Sequence, residues 1–110
     1  MKKIASNRLL SRAGWIENPL IELSDEGEVV AIRSTAQPDR EPFTSFRAGL
    51  LVIGVEDPQA VWEAIRTNHT TPLDKLLAPH LGDGHRALLF SGLDYRNWSL
   101  SPDARWQPIP

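Results

Sequence analysis

Cysteine is absent from the 110 residues, which excludes disulfides, thiol nucleophiles and thiolate metal sites. Clustered positive charge is missing as well. Twelve Lys and Arg are interspersed with fourteen Asp and Glu, for a formal net charge of −2. A nucleic-acid or anionic-membrane surface needs concentrated positive charge to displace counterions, so neither is expected as a partner. No stretch approaches the ~20 apolar residues of a membrane span. The opening "MKKIASNRLLSRAGW" has two lysines, but Asn7, Arg8 and Arg12 interrupt any apolar core. A secretory leader would need about 7–15 apolar residues there. The expected address is a reducing cytoplasm.

What is present describes one soluble domain, residues 1–110, without internal repeat or low-complexity tract. Its 41% apolar and 24% charged residues suit a globular chain, and this length buries a sufficient core unaided. Residues 2–33 read as N-terminal strands. "IELSDEGEVVAI" forms two alternating arms around Ser24-Asp25-Glu26-Gly27, with Gly27 free to take a positive φ. Ile21 and Leu23 point one way on their arm, and Val30 and Ile32 are expected to share a face on the other arm. "KIASNRLL" reads as a further strand and "SRAG" as a turn. Residues 34–47 carry two prolines and read as a loop or irregular edge. "GLLVIGV" is apolar throughout and too short for a helix, so it reads as a central buried strand.

Residues 56–82 read as a helical insertion of two short helices. Asp57 is placed to cap the first, with Pro58 at the position where an amide has no partner anyway. This answers for the carboxylates that end the apolar run: capping requires no chemistry of them. Val61, Trp62 and Ile65 form an apolar stripe. Thr71-Pro72-Leu73-Asp74 repeats the device, Leu73, Leu76 and Leu77 form the buried face, and Pro79 ends the helix. Residues 86–109 return to β. "RALLFSGL" reads as a strand with Leu88 or Leu89 inward. "NWSLSPDARWQPI" reads as two extended pieces around a Ser101-Pro102-Asp103 turn.

"IASNRLLSRAGWIENPLIELSDEGEVVAI" resembles the N-terminal segment of metal-dependent amidohydrolases, including cytosine-deaminase-like proteins. The family begins with an Asn-x-Arg-Leu-Leu strand and a hairpin ending in Gly-x-Val/Ile-x-x-Ile. Asn7, Leu9, Leu10, Ile21, Gly27, Val29, Val30 and Ile32 stand at those places. "GHRALLFSGLDYRNWSLSPDARWQPI" is similar to the family's C-terminal return, with its Gly-x-x-Ala-x-Leu strand. The resemblance covers about the first third and last quarter of the chain. It implies a composite β-domain in which the two ends meet. The family's catalytic part is not matched. Its first barrel strand ends in Pro-Gly-x-x-Asp-x-His-x-His, whereas here Leu50 to Val55 is followed by Glu56-Asp57-Pro58. A (β/α)8 barrel takes at least ~200 residues, and only residues 56 to 86 separate the β zones. No catalytic, cofactor-binding or metal-ligating residue is therefore carried over, and no cofactor is expected.

Other chemistry is sparse. His80, Asp83 and His85 in "PHLGDGHR" are ligand types suited to zinc, but their spacing fits no established pattern and a polar loop explains them. His69 reads as a helix-end residue. Ser91 lacks the first glycine of a Gly-x-Ser-x-Gly elbow. Neither "GDG" nor "GLLVIG" is followed by the lysine of a phosphate loop. Trp62 belongs to the helical stripe, while Trp98 and Trp106 read as core before interface. The expectation is a mainly β (α+β) domain, a composite β-sandwich or barrel-like unit with an inserted two-helix hairpin. Its expected function is non-catalytic binding or interaction, with an unknown protein partner or a homodimer. The alternative is a small metal-dependent hydrolase or deaminase-like enzyme using His80, Asp83 and His85.

Overall fold

The computed structural model describes residues 2–34, 44–67, 73–94 and 99–109. Its first element is a hairpin longer than either sheet it serves. β1 (Lys2–Ala5) and β2 (Arg8–Ser11) run antiparallel to β3 (Gly14–Glu17) and β4 (Pro19–Leu23). Lys2 pairs with Leu23, Ala5 with Leu20, Arg8 with Glu17 and Ser11 with Gly14, so no residue is gained or lost along its length. The "SRAG" turn closes it, with Gly14 at φ 115°. The hairpin nevertheless divides between two sheets. β1 and β4 join β5 (Val29–Ser34) and β6 (Thr44–Phe46) in the order β5-β4-β1-β6. β2 and β3 join β7 (Leu50–Ile53), β8 (Ala87–Asp94) and β9 (Ser99–Pro108) in the order β3-β2-β7-β8-β9.

The seam between the sheets is stitched by polar groups. Buried Ser6 donates from its hydroxyl to the Gly49 carbonyl at 2.8 Å, and the Gly49 amide donates to Asn7 Oδ1 at 2.9 Å. Asn18, on the opposite strand, takes φ 49°, a region that asparagine enters more readily than most residues. β6 and β7 continue the pattern as parallel neighbours of β1 and β2. Ala5 pairs with Phe46 and Arg8 with Leu50, leaving one extra residue at the seam. Gly49 absorbs it at φ 144°; a Cβ there would lie 2.3 Å from the Phe90 carbonyl oxygen.

Three layers result. On one face of the five-stranded sheet, Leu10, Leu50, Val52, Leu88 and Phe90 meet the helices through Val61, Leu73 and Leu77. Trp62, Leu76 and Trp106 pack at the margin of that core, and Trp62 stacks on Phe90 with ring centroids 6.4 Å apart. The other face presents Leu9, Leu51, Ile53, Ala87 and Leu89 to Ile4, Ile21, Leu23 and Val29 of the four-stranded sheet. β7 therefore has a neighbour strand on each side and a layer on each face. All four of its residues are buried, as its unbroken apolar run predicts. The same sandwiching buries both Leu88 and Leu89, where the sequence suggested one.

The helices begin as their punctuation predicts. α1 (Pro58–Thr67) receives a cap from Asp57, whose Oδ1 accepts from the Ala60 amide at 3.2 Å. Val61 then donates to the Asp57 carbonyl at 3.3 Å, the first turn of the helix. α2 (Leu73–Leu77) runs into a 3-10 turn at Ala78–His80. The Thr71-Pro72 cap lies outside the described residues, as do His69 and Trp98, and no packing is described for the Ile65 side chain.

Three local expectations are corrected. Val30 and Ile32 do not continue one alternating face, because the ladder slips: Leu23 pairs with Val29, but Glu22 pairs with Ala31. Val30 is the extra residue of this bulge, so Val29 is buried in the core while Val30 and Ile32 both stay exposed. Ser101-Pro102-Asp103 does not separate two strands. β9 runs through it, and the slip between Ser91–Arg105 and Leu93–Leu100 leaves residues 101–104 opposite Gly92 alone. Proline is tolerated there because β9 is an edge strand. Finally, "KIASNRLL" forms two strands in separate sheets, whereas Thr44–Phe46 is an edge strand within the stretch expected as a loop or irregular edge. The architecture is a mainly β (α+β) sandwich with two helices, not a closed barrel.

Candidate functional site

The loop after the helices brings the sequence's three zinc-suited residues to separate tasks. Gly54, at φ 92°, lets the end of β7 pass close under this loop: the Gly82 amide donates to the Gly54 carbonyl at 3.0 Å, and a Cβ on Gly54 would meet Gly82 O at 2.6 Å. Val55 and Leu81 form a bridge beside it. His80 ends the 3-10 turn and is half-buried. Asp83 accepts from Arg12 Nη1, tying the loop to the β2–β3 turn. His85 is exposed at the opposite end, and its carbonyl accepts from the Val29 amide at 2.6 Å. Among the described residues, no three His, Asp or Glu side chains gather as a group able to hold a metal. The structure therefore does not bring His80, Asp83 and His85 together.

Two concave surfaces flank this loop. One, about 230 Å³, lies between the β2–β3 turn and α2 with its 3-10 extension. Leu10, Trp15, Ala78 and Leu81 supply its apolar lining, while Ser11, Arg12 and Asp74 bring polar groups of both charges. Trp15 is held in place from outside: the Arg8 guanidinium sits 4.2 Å from its ring centroid and donates to Glu17 at 2.6 Å.

The second, a shallower groove of about 260 Å³, runs along β5. Ile53 and Val29 floor it, His85 stands at its end, and Val30, Ala31 and Ile32 form its lip. β5 is the last strand of its sheet, and Val30 and Ile32 are 55% and 40% exposed. Exposed aliphatics on a strand edge make a template for another strand, although the Val29 amide at the start of β5 is already taken by the His85 carbonyl. The sequence marked both residues as apolar but gave no sign that they line an outer edge. Phe46 is 55% exposed on the opposite edge strand, β6.

Trp106, read as core, is half-buried against the helix-side cluster. No described helix is long and apolar enough to cross a membrane. No family model matches the chain, and no curated protein matches its sequence.

Proposed function

We propose that this chain is a non-catalytic interaction module that pairs with a second copy of itself along β5. The observation that carries the reading is the pair of exposed aliphatics, Val30 and Ile32, on a strand with no outer neighbour among the described residues. A twofold antiparallel pairing sets such an edge against its own copy, so one apolar lip covers the other and the assembly closes at two chains. The chain is further proposed as a relative of the composite β-domain of amidohydrolases without the barrel, working in the cytoplasm. In support, β2–β3 from the N-terminal part and β8–β9 from the C-terminal part flank β7 in one sheet. A short helical segment stands where the family's barrel would be.

Sedimentation equilibrium tests the pairing: a dimer is expected, and Ile32→Lys should return it to monomer by setting like charges across the twofold axis. A wild-type chain monomeric at about millimolar concentration, the weak end of specific association, rejects the self-pairing. In parallel, no turnover of a pyrimidine or cyclic amide is expected with added zinc or iron. Turnover abolished by His80→Ala would instead establish the metal-enzyme reading.

A further inference from the structure

The cleft beside Trp15 combines features that the β5 reading does not use. Its volume, about 230 Å³, falls below the roughly 300–1,000 Å³ typical of sites for drug-sized ligands, so an occupant must be small. The apolar part of its wall comes from Leu10 on β2, Trp15 on β3 and Leu81 in the loop after the 3-10 turn. The polar part is of two signs. Asp74, half-buried on α2, has no hydrogen-bond partner among the described residues and offers a carboxylate. Arg12 offers a guanidinium from the hairpin turn. Among the described residues its Nη1 alone is engaged, by Asp83, which leaves the other arm of the fork able to donate. Ser11 adds a hydroxyl whose oxygen already accepts from the Ala13 amide at 3.2 Å, leaving its hydrogen to donate.

An apolar ligand would leave unused both the half-buried Asp74 carboxylate and the open arm of the exposed, Asp83-paired Arg12. A simple anion or cation would engage one of them. We infer that the cleft between the β2–β3 turn and α2 binds a small zwitterion with an apolar side chain, a free aliphatic α-amino acid. Its ammonium group pairs with Asp74, its carboxylate takes the open donors of Arg12 and Ser11, and its side chain lies against Trp15 and Leu81. Asp83 holds Arg12 over the cleft from outside. Charge-assisted hydrogen bonds at both ends supply the selectivity. This inference is independent of pairing along β5.

The test uses the full chain, two-dimensional amide NMR, and three probes: leucine, leucinamide without the carboxylate, and N-acetyl-leucine without the ammonium. Leucine should shift amides of residues 10–15 and 74–81, and each capped probe should bind at least about tenfold more weakly, the size of one lost charged hydrogen bond. Asp74→Asn should make leucine and N-acetyl-leucine equivalent, and Arg12→Gln should do the same for leucine and leucinamide. Asp83→Asn should retain leucine binding, since it removes only the outer tether. Three results overturn the inference: no leucine-induced shifts at about 10 mM, well beyond weak specific affinity; equal binding of all three probes to the wild type; or shifts confined to other parts of the chain. The wild-type comparison of probes stands even where a variant fails to fold.

Discussion

The two sheets share a hairpin but bear unequal loads. The five-stranded sheet is covered on both faces, and β7, β8 and β2 contribute Leu50 to Ile53, Ala87 to Phe90, and Leu9 and Leu10 to the buried set. The four-stranded sheet has only one face against that core. Its edge strand β5 passes from buried Val29 to exposed Arg33 and Ser34. Stability is concentrated where a strand is enclosed on every side, and recognition is available where it is not. An apolar residue in β7 therefore answers to packing on two fronts, whereas Val30 and Ile32 stand 55% and 40% exposed.

The largest test of this contrast removes part of the central sheet. A chain ending at Leu93 loses β9, and with it Trp106 against the helix-side core and buried Ile109 against the sheet interface. It should be insoluble or lack a sharp thermal transition. An unchanged melting midpoint would show that the two ends of the chain do not depend on each other. Next is Gly49→Ala at the seam, which imposes both a positive φ and a clash with the Phe90 carbonyl. A loss of about 2–4 kcal/mol is expected from strain and overpacking together, read from urea unfolding. Asp57→Ala removes the α1 cap and should cost about 0.5–2 kcal/mol, with pairing along β5 retained in sedimentation. The smallest effect belongs to the outer sheet: Ile32→Lys should alter monomer stability by no more than about 0.5 kcal/mol. A much larger loss in the monomer would make β5 part of the supporting core and erase the contrast.

The sequence made the enclosed parts legible, since enclosure leaves a continuous signature. "LLVI" announces a strand buried on both faces, Asp57-Pro58 announces a helix start, and Gly27, at φ 82°, marks the turn of the β4–β5 hairpin. The seam left no such mark. Ser6 and Asn7 interrupt an apolar pattern as a loop or an exposed edge would, and their role depends on Gly49, distant in sequence. The β5 bulge is equally silent, because a one-residue slip reverses facing without changing composition. Pro102 misled for a related reason: its missing amide forbids a central strand but not an edge. The amphoteric cleft was hidden because Arg12, Trp15 and Asp74 meet only through the fold, while the histidines drew attention by proximity in sequence alone.

The undivided register of the first hairpin bears on how the molecule opens. Because β1–β4 and β2–β3 are segments of one ladder, neither sheet can release its strands without disturbing the other's nucleus. The contacts from Lys2–Leu23 to Ser11–Gly14 are local in sequence, and such contacts form early because their loop closure is inexpensive. The hairpin is thus suited to seed both layers in a single event. In the native state its amides should exchange hydrogen as one unit, so that Ile4 and Leu9, on opposite sides of the seam, report the same opening free energy.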